Sequence, residues 1–286
     1  MTNAQTVADR FDGFEPPASE IQIEVERLSR QPYLELNQVK TCHGWMYELL
    51  MSKSTGLLVG ESRCGKTVTC KSFAERYNKS KSGKKKRIKP VVYIQIPVGC
   101  GSRDFFIKIL KALNKPTNGS VSDLRERTLD ALAIHQVEML IVDEANHLEQ
   151  KTFSDLRHVY DEDELNLAVL LVGTTHRLQA VIKRDEQVVN RFLEQYELDR
   201  LGDKEFKEMV GIWERDVLRL PKPSNLAEGK TLTTLKTATK KLIGRLDMIL
   251  RKAAIRSLLQ GHQKVELDIL NEVMSSTRWS HEKKPK

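Results

Sequence analysis

A chain of 286 residues is long enough for one large domain or two smaller ones. Its 47 Lys and Arg against 39 Asp and Glu leave a net charge of +8, which suits an anionic partner such as nucleic acid and equally a merely soluble basic surface. Met1 to Glu20 has no apolar signal core, no apolar run could span a bilayer, and Cys42, Cys64, Cys70 and Cys100 make no C-x-x-C pair, so the expectation is a soluble cytoplasmic protein with free thiols and no membrane partner.

Residues 1–18 read as a disordered N-terminus ending in Pro16-Pro17. Ser19 offers an N-cap for a helix through Ile21, Ile23, Val25 and Leu28, which Pro32 ends. A second helix covers Leu36 to Met51, and both helices are placed to brace the short apolar strand Leu57-Leu58-Val59. Then comes Gly60-Glu61-Ser62-Arg63-Cys64-Gly65-Lys66-Thr67, which reads G-x-x-x-x-G-K-T, followed by a helix from Val68 to Tyr77. Strand, Gly loop and helix together are what a phosphate cradle needs: loop N–H groups wrap the phosphates and the helix N-terminus faces them. Gly60 through Val68 are therefore the expected ATP-binding segment. Lys66 reaches the β- and γ-phosphates, and the Thr67 hydroxyl is a ligand for Mg²⁺.

The basic run Lys79 to Lys89 reads as a loop, either a solvated connector or a contact for an acidic partner. Val91 to Ile96 is a strand, and Ser102 or Asp104 opens a helix. Ser120 or Ser122 caps the next helix. Val137 to Val142 is a strand, Phe153 to Tyr160 a helix, and Asp161 to Glu164 an acidic run. Leu167 to Val172 and Tyr196 to Leu201 are the last two strands. Strands alternating with helices predict an α/β fold: a five-stranded parallel sheet covered by helices on both faces. After Gly202 strand signals stop, and amphipathic stretches Asp203–Leu220, Thr231–Leu242, Arg245–Leu259 and Glu266–Met274 predict a small all-helical lid. The expected organisation is a disordered segment 1–18, an α/β domain 19–202 that includes the N-terminal helices, a helical domain 203–276 and a basic tail 277–286.

Met139 to Val142 delivers Asp143 and Glu144 at a strand's C-terminal end, the ligand side of a doubly wound sheet. Asp143 is expected in the Mg²⁺ shell and Glu144 as the base that polarises the attacking water; a helix cap starting at Asp143 is the plainer alternative. The strand ending Val172-Gly173-Thr174-Thr175-His176 puts Thr174 or Thr175 beside the γ-phosphate. Arg191, just before the last strand, can face a neighbouring subunit as a catalytic arginine or make a surface salt bridge. Arg245, after Gly244 at the start of a lid helix, can reach back over the phosphates.

In that order the five elements resemble the AAA+ P-loop ATPases. Within them Gly60 to Thr67, Met139 to Ala145, Leu171 to Thr174, Val181 to Gln187 and Ile243 to Asp247 are similar to segments of the TnsC/TniB family of transposition regulators, most of all the compact TnsC of CRISPR-associated transposons. The resemblance implies Walker A at Lys66 and Thr67, Walker B at Asp143 and Glu144, sensor I at Thr174 or Thr175, an arginine finger at Arg191 and sensor II at Arg245. It also implies a bacterial ATPase that assembles with itself into rings or filaments on double-stranded DNA. Its implied partners are a TniQ-type targeting protein and a DDE transposase of the TnsB type, with an RNA-guided Cas effector complex as a further candidate. A helicase loader or clamp loader is the alternative AAA+ role. For DNA, the starts of two helices, at Arg103 and at Ser120, offer N–H groups, a hydroxyl and a guanidinium to phosphates without any base code.

Overall fold

The computed structural model describes residues 18–30, 34, 36–81 and 88–276. The expected disordered N-terminus, the middle of the basic run and the basic tail lie outside the described residues. The chain forms two compact units, one within Tyr33–Arg200 and one combining the described residues of Met1–Pro32 with those of Leu201–Lys286.

The first helix, α1 (Ser19–Ser29), belongs to the second unit, where the sequence reading had grouped it with the sheet. Its start is capped at Ala18, and Ser19 is already helical. In the first unit, α2 (Asn37–Ser52) precedes β1 (Thr55–Gly60), and the Gly loop leads into α3 (Lys66–Lys81). Lys79 and Lys81 are thus helical rather than part of a loop: basic side chains in a last turn suit the negative end of the helix dipole. Next come β2 (Val91–Gln95), α4 (Ser102–Ala112), α5 (Val121–Ile134), β3 (Met139–Asp143), α6 (Gln150–Tyr160) and β4 (Ala168–Thr174). Two short helices that the sequence reading did not identify, α7 (Thr175–Ile182) and α8 (Glu186–Val189), lead to β5 (Glu194–Glu197).

The five strands lie in the order β2-β3-β4-β1-β5, and every pair is parallel. Strands β1, β3 and β4 are apolar runs buried almost throughout, as expected of central parallel strands covered on both sides. Side chains alternate between faces. Leu57, Val59, Leu140, Val142, Val169 and Leu171 share one core with Phe105, Phe106, Ile109 and Leu110 of α4 and Phe153 and Leu156 of α6. The opposite face is covered by α2 and α3. Among the described residues β5 has β1 as its one neighbour, and the pairing stops at Glu197, short of the expected Leu201. In register, Gly60 lies opposite Thr174 and Gln95 opposite Asp143, so the strands' C-terminal ends form one polar edge.

The second unit is helical: α1, α9 (Asp203–Ile212), α10 (Gly229–Thr239), α11 (Ile243–Leu259) and α12 (Leu267–Ser276). A π-helical turn, Trp213–Leu218, continues α9. α11 is the hub, packing on α1, α10, α12 and the π turn. Arg27 of α1 donates to the carbonyls of Val217 and Leu218, which end that turn, at 2.6 and 2.7 Å. In exchange Arg251 of α11 donates to the carbonyl of Leu28 at 3.0 Å, and Leu28 itself is buried. These contacts draw α1 into this unit.

Candidate active site

The Gly loop leaves β1 at Gly60, whose φ of 153° is open to glycine. A Cβ there would stand 2.6 Å from the Leu198 carbonyl oxygen and 2.8 Å from Cys64 Sγ, so no side chain fits. Gly65 (φ 108°) and Arg63 (φ 69°) continue the loop through positive φ. Lys66 is buried at the loop's centre and donates to the carbonyls of Gly60 and Glu61 at 2.9 and 2.8 Å. Glu61 points outward to Arg200, paired at 2.5 Å. Ser62 is exposed, and Val68 stands in the first turn of α3.

Asp143, 1% exposed, anchors the neighbouring strand end. Its Oδ2 accepts from the Thr67 hydroxyl and from the Tyr93 hydroxyl, both at 2.7 Å, and its Oδ1 accepts from the Glu144 N–H at 2.9 Å. Tyr93, which the sequence reading treated only as a strand aromatic, holds the carboxylate from β2. Burial, and then the Asp143 charge beside it, push the Tyr93 hydroxyl far above its ordinary pKa, so it stays a donor. Glu144 follows in the left-handed region (φ 56°, ψ 35°), a strained conformation for a residue with a side chain. That turn ends the strand and sends Glu144 into a cleft of about 520 Å³ lined also by Ser62, Gln95, His147, Thr174 and Arg177. The Glu144 carboxylate makes no hydrogen bond or ion pair among the described residues.

Thr174 and Thr175 part company. Thr174 lines the cleft, and its N–H is 3.4 Å from Asn146 Oδ1. Thr175 instead donates to Glu197 on β5 at 3.0 Å. Gly173 makes room for Asn146, whose Oδ1 would lie 2.6 Å from a Cβ at that position. Sequence reasoning missed His147 and Arg177, which the turn after β3 and the start of α7 bring to the cleft, and Asn146, which accepts from the Thr174 N–H.

A phosphate chain with Mg²⁺ fits these residues. Mg²⁺ takes hard oxygen ligands and is held by one or two carboxylates together with substrate phosphates. The 2.7 Å Thr67–Asp143 pair supplies such a hydroxyl and carboxylate beside a buried ammonium.

The other expected site residues of the first unit, Arg191, Arg103 and Ser120, have their hydrogen bonds elsewhere. Arg191 pairs with Asp161 at 2.7 Å. Arg245 stands in the first turn of α11, in the helical unit. Arg103 and Ser120 are brought together: Arg103 donates to the Gly119 carbonyl at 2.7 Å, and Ser120 caps α5 in a reciprocal box with Asp123. That box already uses the Ser120 and Asp123 N–H groups. The four thiols are free and buried, and burial pushes Cys42 up to about 12. Among the described residues, no helix is long and apolar enough to cross a membrane.

The family model for the bacterial TniB protein matches residues 36–201, more than half of the chain. No curated protein sequence matches. Among solved structures the chain is similar to the ORC2 protein of Aeropyrum pernix in its ADPNP–ADP complexes, with 15% identity over 87% of this chain and 71% of that one and a TM-score of 0.65. It is similar to domain III of the Thermotoga maritima replication initiation protein DnaA, with 15% identity over 92% and 98% and a TM-score of 0.60. It is also similar to Drosophila ORC bound to DNA, with 15% identity over 92% and 68% and a TM-score of 0.56. At such identity the likeness is one of fold, that of the AAA+ P-loop ATPases.

Proposed function

The chain belongs to the bacterial TniB family, and from that premise we propose that it is an ATP-hydrolysing regulator of transposition that assembles on double-stranded DNA. The observation that carries the reading is the cluster at the sheet's polar edge: buried Lys66 in its loop, Thr67 on Asp143, and Glu144 turned into the cleft.

On this reading Lys66 exchanges loop carbonyls for the β- and γ-phosphate oxygens of ATP. Thr67 and Asp143 hold Mg²⁺, which when bound offsets the phosphates' negative charge. Glu144 orients a water and takes its proton, and the Thr174 hydroxyl fixes the γ-phosphate side. Arg191 acts on the ATP of a neighbouring copy, where charge builds on the transferred phosphoryl group. Leu193, 76% exposed two residues further on, supports a covered surface there. Arg245 is the proposed sensor II, a further donor to the phosphates.

DNA is met without sequence preference through Arg103 and the start of α5, and assembly into rings or filaments repeats that contact. The assembly links a TniQ-type targeting protein, or an RNA-guided Cas effector complex, to a DDE transposase of the TnsB type. The replication proteins similar in fold leave a loader role as the alternative; the family match favours transposition.

Electron microscopy of the protein with duplex DNA and ATP, ADP or no nucleotide tests the reading. Ordered assemblies with ATP and DNA are expected. Monomers under every condition would overturn it.

A further inference from the structure

Arg191 is fixed in the first unit from three directions. Its carbonyl accepts from the buried Thr55 hydroxyl at the start of β1. Its Nε and Nη2 donate to Asp161 Oδ1 and Oδ2 at 2.9 and 2.7 Å, and its Nη1 donates to the Gln187 carbonyl at 3.1 Å. Asp161 is itself set by the end of α6, with its N–H on the Arg157 carbonyl at 2.7 Å.

A guanidinium carries five N–H donors in a rigid plane. Asp161 takes the side edge, formed by Nε–H and the outer hydrogen of Nη2. Gln187 lies four residues back along the chain, and its carbonyl takes one hydrogen of Nη1. Two donors remain, one on each Nη, at the far end of the side chain. Such a pair matches two oxygens of a phosphate. The Arg191 and Asp161 side chains are 33% and 38% exposed, so the tip is within reach of a partner.

We propose that Asp161 is a positioning residue that grips Arg191 by its side edge and presents the tip as a two-pronged donor to the phosphate of a neighbouring copy. This rests on the reading that Arg191 acts across subunits. An exposed ion pair of this kind contributes little to stability, so a purely structural Asp161 would leave turnover nearly unchanged. Pre-set orientation acts on turnover instead, because it removes disorder that the arginine would otherwise lose in the transition state.

The experiment compares Asp161→Asn, Asp161→Glu, Arg191→Ala and Lys66→Ala in ATP turnover on duplex DNA, alone and mixed in pairs. Asp161→Asn keeps the shape but loses one acceptor of the grip. It is expected to lower kcat by about 10-fold or more, part of the about 10³–10⁵-fold that a transition-state arginine is worth, with KM within about 2-fold. Asp161→Glu retains the charge and should fall between Asp161→Asn and wild type, which guards against a general folding defect. Mixing Asp161→Asn with Lys66→Ala should restore turnover, because some interfaces then combine an intact loop with an intact arginine. Mixing it with Arg191→Ala should not, since both fail on the same side of the interface. Wild-type kcat in Asp161→Asn beside an inactive Arg191→Ala would overturn the positioning role and leave the trans arginine standing. Wild-type kcat in Arg191→Ala would overturn the underlying reading, and the proposal with it.

Discussion

Asp143 serves three donors with two oxygens: the Thr67 hydroxyl, the Tyr93 hydroxyl and the Glu144 N–H. Each fixes a different part of the site, so the adjacent Glu144 inherits a defined direction. Glu144→Gln keeps that backbone and the side chain's size while removing its ability to accept a proton. ATP binding should be unchanged and hydrolysis about 10²-fold slower or more, the scale of lost general-base catalysis, as read by phosphate release against nucleotide affinity. Tyr93→Phe deletes one donor to a buried carboxylate and should cost about 1.5–3 kcal/mol in urea unfolding. The same hydroxyl has a pH signature. Its folded pKa lies above its unfolded value of 10.0, so its contribution is complete below about pH 10 and is lost as pH rises beyond it. Alkaline unfolding curves of wild type and Tyr93→Phe should therefore converge at high pH. Tyr93 was illegible in the sequence because its partner lies on another strand, and an aromatic in an apolar run reads as core. Asp143 and Glu144 were legible because a charged pair ending an apolar strand is a local pattern with a fixed place in such sheets.

At the level of elements, what the sequence disclosed depended on how local the governing contacts are. β1, the Gly loop and α3 follow one another without interruption, and each needs its neighbour. α7 and α8 were missed because they are one or two turns long and begin on Thr-Thr-His and Asp, residues that also make loops; only packing of α7 on β4 and β1 makes it a helix. α1 was assigned to the wrong side of the chain's division for the opposite reason: its partners, Val217, Leu218 and Arg251, stand about two hundred residues away in sequence. Its attachment yields a prediction. Leu28 is 1% exposed, so Leu28→Ala removes buried apolar surface from the helical unit at about 2–5 kcal/mol. Hydrogen exchange should show protection falling in α1 and α11 while β1, β3 and β4 keep theirs. Equal loss in the strands would mean that α1 supports the sheet after all.

For the whole molecule the question is how a charge of only +8 could hold DNA. Around the start of α5 the balance is mixed. Arg103 and Arg127 both donate to loop carbonyls there, to Gly119 and to Pro116 and Asn118. Against them stands Asp123, whose hydrogen bonds from the Ser120 N–H and hydroxyl keep its carboxyl below the usual range, so it remains an anion beside any phosphate. One copy thus offers few phosphate contacts, and each neutralised phosphate contributes a slope of about 0.9 in log K against log salt. Binding by a single copy should be weak and shallow in its salt dependence. If copies assemble as proposed, steep dependence should appear only with ATP, when many of them join through the interface assigned to Arg191. Arg103→Ala should weaken binding to every duplex alike and reduce the slope, since phosphate contacts carry no sequence information. Asp123→Asn should act in the opposite direction on affinity by removing a repulsive charge, with the amide oxygen still able to accept from Ser120. Fluorescence anisotropy on two unrelated duplexes across a salt series, with and without ATP, reads all of this. Tight binding without nucleotide, or a preference between duplexes above about 1–3 kcal/mol, the scale of a base-specific contact, would mean that this surface reads bases and that assembly is not what makes binding strong.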